Sequence, residues 1–492
     1  MTASTPTILA IDAGTTGIHA LAFDRDLHPV ATAYEEFPQH FPFPGGVEHD
    51  AREILAGVDR VVGEVVSKVG APAAIGITNQ RETIFAIDAA SGEALSRGIV
   101  WQDRRTADRC KELRAAGHGD LVRERTGLVL DPYFSASKME WMLREQAPVK
   151  AAAERGTLRF VTVDALIISH LTGGERTATD PTNASRTMLF DIERRDYCDE
   201  MLDLFGLDRS MLAEVVSSAG DFGDAQVDGV KIPIRGVLGD QQAALFGQGC
   251  WGAGSSKITY GTGCFLLLNT GQRRARSAAG LLTTLAADET GAPCFALEGS
   301  AFAGGSVVQW LRDGLGVLEE AAESCDLARS VEDTGGVVLV PAFAGLGAPH
   351  WDPDARAAIL GMTRGTTRAH IVRAGLDAIA FQCADLVEAL RADADLPVDR
   401  ILADGGAAAN DYLMQRQADL ARAAVERSDE LQTTARGAAA IAGIGAGWLE
   451  DPARCAALSR GHASFQPGLS PERWEEDRGA WRAAVGRVLS RP

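Results

Sequence analysis

Positive charge is in short supply in this chain. Lys and Arg total 48 against 67 Asp and Glu, a formal net charge of −19. That balance excludes a nucleic-acid or anionic-membrane surface, because phosphate-rich partners require clustered Lys and Arg. The eight cysteines (110, 198, 250, 264, 294, 325, 383 and 455) are scattered without a C-x-x-C pair, which argues for reduced thiols rather than a disulfide frame or a zinc site. No apolar run reaches the ~20 residues that span a bilayer, and no basic-then-apolar leader opens the chain. The expectation is a soluble cytoplasmic protein without membrane insertion. The G-x-x-x-x-G-K-[ST] string of a P-loop is also missing. A G-x-G-x-x-G string does occur at Gly247, Gly249 and Gly252. It follows a helical-looking "DQQAALF" and precedes a strand, the reverse of the dinucleotide-binding order.

What is present is an ordinary globular composition, 46% hydrophobic and 23% charged over 492 residues. This length is too great for one core, so two or three domains are expected. Strand and helix patterns alternate, which indicates an α/β class. "ILAIDAGTTGIHALAFD" (8–24) is an apolar run, a Gly/Thr turn and a period-two run, the pattern of a β-hairpin. Ile54, Leu55, Val58, Val61, Val62, Val65, Val66 and Val69 form a helical stripe, with Asp50 and Glu53 placed for a capping box. "AAIGIT" (73–78) and "FVTVDALIISHLTG" (160–173) give a buried strand and a strand-to-helix passage. Near residue 250 the opening pattern restarts. "KITYGTGCFLLLN" (257–269) is again strand, Gly/Thr turn and strand, and "RILADGGAAANDYLMQRQADLA" (400–421) is a strand opening into a helix. One hairpin of this kind per half suggests two related domains, with the boundary in the glycine-rich stretch around 247–256.

Two of the polar motifs invite a choice of reading. "VEHD" sets Glu48, His49 and Asp50 side by side, but consecutive residues seldom face one metal, and Asp50 serves as a helix cap, so the structural reading is preferred. The Gly/Thr turns are different. Glycine lets backbone N–H groups approach a phosphate, threonine adds uncharged donors, and a nearby carboxylate can hold Mg²⁺ directly or through its waters. "DAGTT", "YGTG" and "DGGA" together favour a nucleotide. Asp240, in "GDQQAALFG", is by position either a helix cap or a general base; sequence position leaves both open.

A longer set of motifs carries a resemblance. "DAGTT", "GITNQRET", "VWQDRRT", "TGLVLDPYFSASKMEWM", "TDPTNASRTMLFDI", "GDQQAALFGQ", "TYGTGCFLLLNTG", "ALEGSAFAGGSVVQWLRD", "PAFAGLGAPHWDPDARAAILGMTRG" and "DGGAAANDYLMQ" follow one another as in the glycerol-phosphorylating members of the FGGY carbohydrate kinases, from about residue 7 to beyond 480. The resemblance implies two actin/hexokinase-like (ribonuclease H-like) α/β domains, 1–249 and 250–492, with the active site in the cleft between them. It implies ATP-dependent phosphorylation of glycerol to sn-glycerol 3-phosphate with Mg²⁺, and leaves a homodimer or homotetramer open. Carried over residue by residue, the glycerol site is Arg81, Glu82, Trp101, Tyr133, Asp240, Gln241 and Phe265, with Asp240 as general base. The nucleotide side is Thr15, Thr16, His19, Thr262, Gly305, Gln309, Gly406 and Asn410. Asp12 and Asp240 stand near the metal.

The chain departs from the family pattern in places. Ala13, Gly17, Ile18 and His19 stand where the first turn usually reads D-Q-G-T-T-S-S-R. An unperturbed His titrates near ~6.5, and bound phosphates would favour its imidazolium form. His350 replaces an aromatic, and "AQVDGVKIPI" (225–234) replaces the "GGTR" loop that binds fructose 1,6-bisphosphate in some bacterial members, so inhibition by that sugar phosphate is not expected. Two rival readings are a kinase of another polyol or sugar, such as erythritol or a ketopentose, and a non-catalytic actin-like ATP-binding regulator.

Overall fold

The computed structural model describes residues 6–428, 432–449 and 463–490. The chain forms two compact units. The first comprises Met1–Trp251, Thr283–Phe295 and Thr433–Leu458; the second comprises Gly252–Leu282, Ala296–Gln432 and Ser459–Pro492. The main passage from one to the other, at 251–252, lies two residues from the boundary expected from sequence. The segments 283–295 and 433–458, which that boundary leaves in the C-terminal half, cluster with the first unit.

The first unit is built on a six-stranded sheet in the order Asp224–Val227, Val230–Gly239, Ala74–Asn79, Ile8–Ala13, Gly17–Phe23, Pro29–Glu36. The expected hairpin forms, with Asp12 opposite His19 and Ala13 opposite Ile18. Ile8–Ala13, Ala74–Asn79 and Val230–Gly239 run parallel, with Asp12 and Leu238 both level with Thr78. All three strands therefore end at one edge of the sheet, where parallel sheets characteristically carry their sites.

Both faces of the sheet are covered, as its apolar strands require. Ile18, Ala20 and Ala22 join the core beneath helix Ala51–Val69, whose stripe buries Ile54, Val58, Val61, Val62 and Val65. Asp50 caps that helix by accepting from the Arg52 amide at 2.9 Å. Glu53 does not close the expected capping box; its carboxylate meets His40 Nε2 at 2.9 Å. On the other face, Leu21 and Phe23 join the core with helix Thr433–Gly445. This helix packs through small residues. A Cβ on Gly76 would lie 2.0 Å from the Ala438 carbonyl oxygen, and one on Gly437 would lie 1.9 Å from that of Ala243. Such backbone-to-backbone approach admits no side chain; it seats helix Thr433–Gly445 on the sheet at Gly76 and holds helix Asp240–Gly247 against that helix at Gly437.

The second unit repeats the motif. Its sheet holds, side by side, Cys264–Gly271, Ser256–Tyr260, Arg400–Asp404, Ala424–Arg427 and Ala463–Phe465. The hairpin of Ser256–Tyr260 and Cys264–Gly271 again has a parallel neighbour, Arg400–Asp404. The core includes the buried face of the 27-residue helix Arg368–Ala394. Helix Asp240–Gly247 precedes the G-x-G-x-x-G string and strand Ser256–Tyr260 follows it, an order that gives no dinucleotide-binding turn. Among the described residues, no helix is long and apolar enough to cross a membrane.

Candidate active site

The three parallel strands of the first unit deliver Asp12, the Arg81–Glu82 pair and Asp240 to one sheet edge. Arg81 is the hub. Its Nε lies 3.3 Å from Asp240 Oδ1 and 3.6 Å from Glu82 Oε1. Its terminal nitrogens donate to Gln242 Oε1 at 3.3 Å and to the Tyr133 hydroxyl at 3.4 Å. Gly239 makes room for it, since a Cβ there would lie 2.7 Å from Arg81 Cγ. Glu82 is held from the other side by Arg186, whose Nε donates to Oε1 at 2.7 Å. The Arg186 guanidinium also lies 5.3 Å from the Phe134 ring centre and 5.8 Å from that of Tyr133.

Two arginines and two carboxylates thus balance in charge, as buried ions must. Arg81, Glu82 and Arg186 are buried, whereas the Asp240 side chain keeps 29% of its surface exposed. Asp240 is the carboxylate open to a ligand. It is not a cap. Gly239 is the N-cap of helix Asp240–Gly247, and that helix start has no side-chain cap bond. Instead Oδ1 accepts from the Gln241 amide at 2.7 Å and Oδ2 from Gln241 Nε2 at 3.1 Å.

Arg186 escaped the sequence reading. The available signal was a lone arginine in the neutral stretch "PTNASRTMLF" (181–190), whose surroundings are buried; a charge there needs a buried counter-ion.

At the first turn, burial and then the Asp240 carboxylate raise the pKa of Asp12 to about 7. Two carboxylates destabilise one another here, an oxygen pair that a hard divalent cation would neutralise. Among the described residues no group of three or more His, Cys, Asp or Glu converges on one point; Mg²⁺ commonly takes only one or two carboxylates and completes its shell with water and phosphate. Trp101 Nε1 donates to Thr15 Oγ1 at 3.0 Å, and the indole meets Tyr133 edge-on at 5.7 Å. His19 packs against Tyr34, with ring centres 4.7 Å apart. Burial lowers its pKa from the ordinary 6.5, so the free protein carries a neutral imidazole there near neutral pH. Gly17 lies under the same ring, where a Cβ would stand 2.6 Å from the Tyr34 hydroxyl oxygen and displace that side chain. The residues of "VEHD" have separate partners: Glu48 pairs with Arg105 at 2.8 Å, Asp50 caps its helix, and His49 lies between Gln39 and Gln80.

In the second unit, a cavity of about 520 Å³ gathers Gly305, Gln309, Gly406 and Asn410 with Val308, Ser324 and Leu376. Asn410 caps helix Asp411–Ala421, accepting from the Leu413 amide, and donates to Ser324 Oγ at 3.0 Å. Thr262 is not in the cavity wall. Its carbonyl takes the amides of Gly304 at 2.8 Å and Ser306 at 3.3 Å, and so ties the "YGTG" turn to the start of helix Gly305–Gln309. Phe265, buried on strand Cys264–Gly271, is the one expected substrate residue that the second unit carries.

Comparison with known proteins places this geometry. The N-terminal domain of the FGGY family of carbohydrate kinases matches residues 7–247, and its C-terminal domain matches 256–446. The chain is 49% identical to a glycerol kinase of Dechloromonas aromatica, over 98% of this chain and 97% of that one. It is 50% identical to a glycerol kinase of Alkalilimnicola ehrlichii, over 98% of each. A crystal structure of Plasmodium falciparum glycerol kinase with ADP superposes with a TM-score of 0.90 at 34% identity, covering 99% of both chains. With both family domains matched in order and relatives aligned end to end, the chain belongs to the FGGY family of carbohydrate kinases.

Proposed function

We propose that this kinase transfers the γ-phosphoryl group of ATP to a terminal hydroxyl of glycerol, giving sn-glycerol 3-phosphate and ADP. The observation that carries the reading is the balanced cluster of Arg81, Glu82, Arg186 and Asp240, in a chain about half identical to glycerol kinases along its whole length. Arg81 donates to one substrate hydroxyl and Glu82 accepts from its neighbour. Trp101 and Tyr133 present ring surface to the carbon chain. The Asp240 carboxylate, aligned by Gln241 and Arg81, accepts the proton of the attacking hydroxyl as that oxygen bonds to the γ-phosphorus and the bond to the β-phosphate oxygen breaks. Thr15 and Thr16 face the phosphates; Gly305, Gln309, Gly406 and Asn410 receive the adenosine. Asp12 and Asp240 supply the oxygen donors for Mg²⁺, which when bound neutralises phosphoryl charge. The chain is read as a cytoplasmic enzyme, and light scattering on the purified protein distinguishes monomer, homodimer and homotetramer.

A substrate panel with coupled ADP detection tests the reading: glycerol should be phosphorylated with higher kcat/KM than erythritol or any ketopentose. A preference for another member of the panel overturns glycerol as the substrate. Arg81→Gln should raise KM for glycerol by about 10-fold or more, because a charge-assisted hydrogen bond contributes ~1.5–3 kcal/mol, with a much smaller change in KM for ATP. Equal changes in both constants would show that Arg81 acts on the whole site rather than on the substrate hydroxyls.

A further inference from the structure

His49 has no part in the chemistry above, yet it is completely buried and both of its ring nitrogens are engaged. Gln80 Nε2 lies 3.2 Å from Nδ1, and Nε2 lies 2.7 Å from Gln39 Oε1. The two glutamines lead to adjacent carbonyls of the first turn. Gln80 Nε2 donates to the Gly14 carbonyl at 3.1 Å, and Gln39 Nε2 donates to the Thr15 carbonyl at 2.8 Å.

This circuit admits one proton arrangement. Carbonyl oxygens only accept, so each glutamine must turn its NH₂ group to the turn. Gln39 then offers Oε1 to the imidazole, which must donate from Nε2. Nδ1 is left with its lone pair, which accepts the second N–H of Gln80. Gln80 Oε1 meanwhile accepts from the Thr83 hydroxyl at 2.7 Å, which fixes its amide the same way round. Burial and the nearby His40 push the His49 pKa down to about 3, in keeping with a neutral ring.

The circuit bears on the turn through peptide geometry. In a trans peptide the C=O and the following N–H point in opposite directions. Drawing the carbonyls of Gly14 and Thr15 inward therefore aims the amides of Thr15 and Thr16 away from the protein interior. Among the described residues neither amide has a protein partner, and Thr16 is exposed while Thr15 is half-buried.

We propose that His49 is a positioning residue, whose neutral imidazole bridges Gln39 and Gln80 so that the amides of Thr15 and Thr16 are aimed at the phosphates of the bound nucleotide. This rests on the reading of the first turn as the phosphate site. His49 touches no substrate; it acts through the two glutamines.

Binding of ATP and of adenosine, measured by calorimetry on the full chain, separates positioning from general support of the fold. His49→Leu, which leaves both glutamines without their partner, should weaken ATP by about 10-fold or more, the scale of one or two lost hydrogen bonds to a charged ligand, with adenosine affinity unchanged. His49→Gln retains a donor and an acceptor and should recover part of the loss. Equal weakening of ATP and adenosine, unchanged ATP affinity, or a Gln variant no better than Leu would overturn the proposal. A crystal structure of the wild-type protein with a non-hydrolysable ATP analogue tests the underlying reading separately. Phosphates bound away from the Thr15 and Thr16 amides would overturn that reading, and the role of His49 with it.

Discussion

Asp240→Asn is expected to lower kcat by about 10²–10⁴-fold, the range in which a positioned general base contributes, while KM for glycerol stays within about an order of magnitude. The substitution is close to isosteric. The introduced asparagine can still accept from the Gln241 amide through its side-chain oxygen, where Asp240 now does so at 2.7 Å, so the side chain keeps its place. What is removed is the capacity to take a proton from the attacking hydroxyl, together with the charge facing Arg81. The loss of charge has a limited structural cost. Asp240 is 29% exposed, and Arg81 retains Glu82 at 3.6 Å. The burden therefore falls on kcat rather than on folding or substrate binding. The same variant removes a like charge that raises the pKa of Asp12, so Asp12 should ionise at lower pH in Asp240→Asn than in the wild type. Steady-state kinetics on folded protein check the first expectation, and a turnover rate near that of the wild type would refute the assignment of Asp240 as base.

The elements that carry the site differ in how far the sequence discloses them. The two hairpins are legible because strand periodicity and Gly/Thr turns are local signals, and helix Ala51–Val69 is legible because its valines fall on one stripe. Helix Thr433–Gly445 is not. Small residues dominate it, eight of its thirteen being Ala or Gly, so no stripe marks the face it buries, and its attachment to the first unit is set by backbone approach at Gly76 and Gly437. Asp240 shows the same limit at the scale of one residue. An acidic residue at a helix start is equally a cap or a base in sequence, and what sets Asp240 apart is that its oxygens also meet the Arg81 guanidinium and the Gln241 side chain, not the helix amide alone. The circuit of Gln39, His49 and Gln80 draws on three segments, and nothing local marks any of the three as partner of another. The family resemblance names residues that match a motif; it passes over those, like Arg186, whose part is to hold another residue in place.

Arg186 is where the largest effect on stability is expected. Its guanidinium is fully buried and Glu82 nearly so, with Nε and Oε1 2.7 Å apart. Removing one partner of a buried pair typically costs ~3–5 kcal/mol, because the other charge is left uncompensated in a medium that solvates it poorly. Arg186→Met keeps much of the aliphatic bulk against Phe134 and Tyr133 but strands the Glu82 carboxylate. Arg81, 3.6 Å from the same oxygen, offsets part of the loss, which places the expected cost toward the lower end of that range. Glu82→Gln combined with Arg186→Met leaves no unpaired carboxylate and should restore much of the stability, since replacing both members of a buried pair is often close to neutral. Activity should not return with it. The introduced glutamine can donate as well as accept, and it lacks the charge that makes a carboxylate a strong acceptor for a substrate hydroxyl, so KM for glycerol should remain high in the double variant. Denaturant unfolding of the wild type, both single variants and the double variant forms a closed cycle whose coupling energy is the interaction itself. A coupling near zero would mean that Arg186 does not sustain the charge of Glu82. Recovery of both stability and glycerol KM in the double variant would mean that Glu82 is a structural residue and binds no substrate.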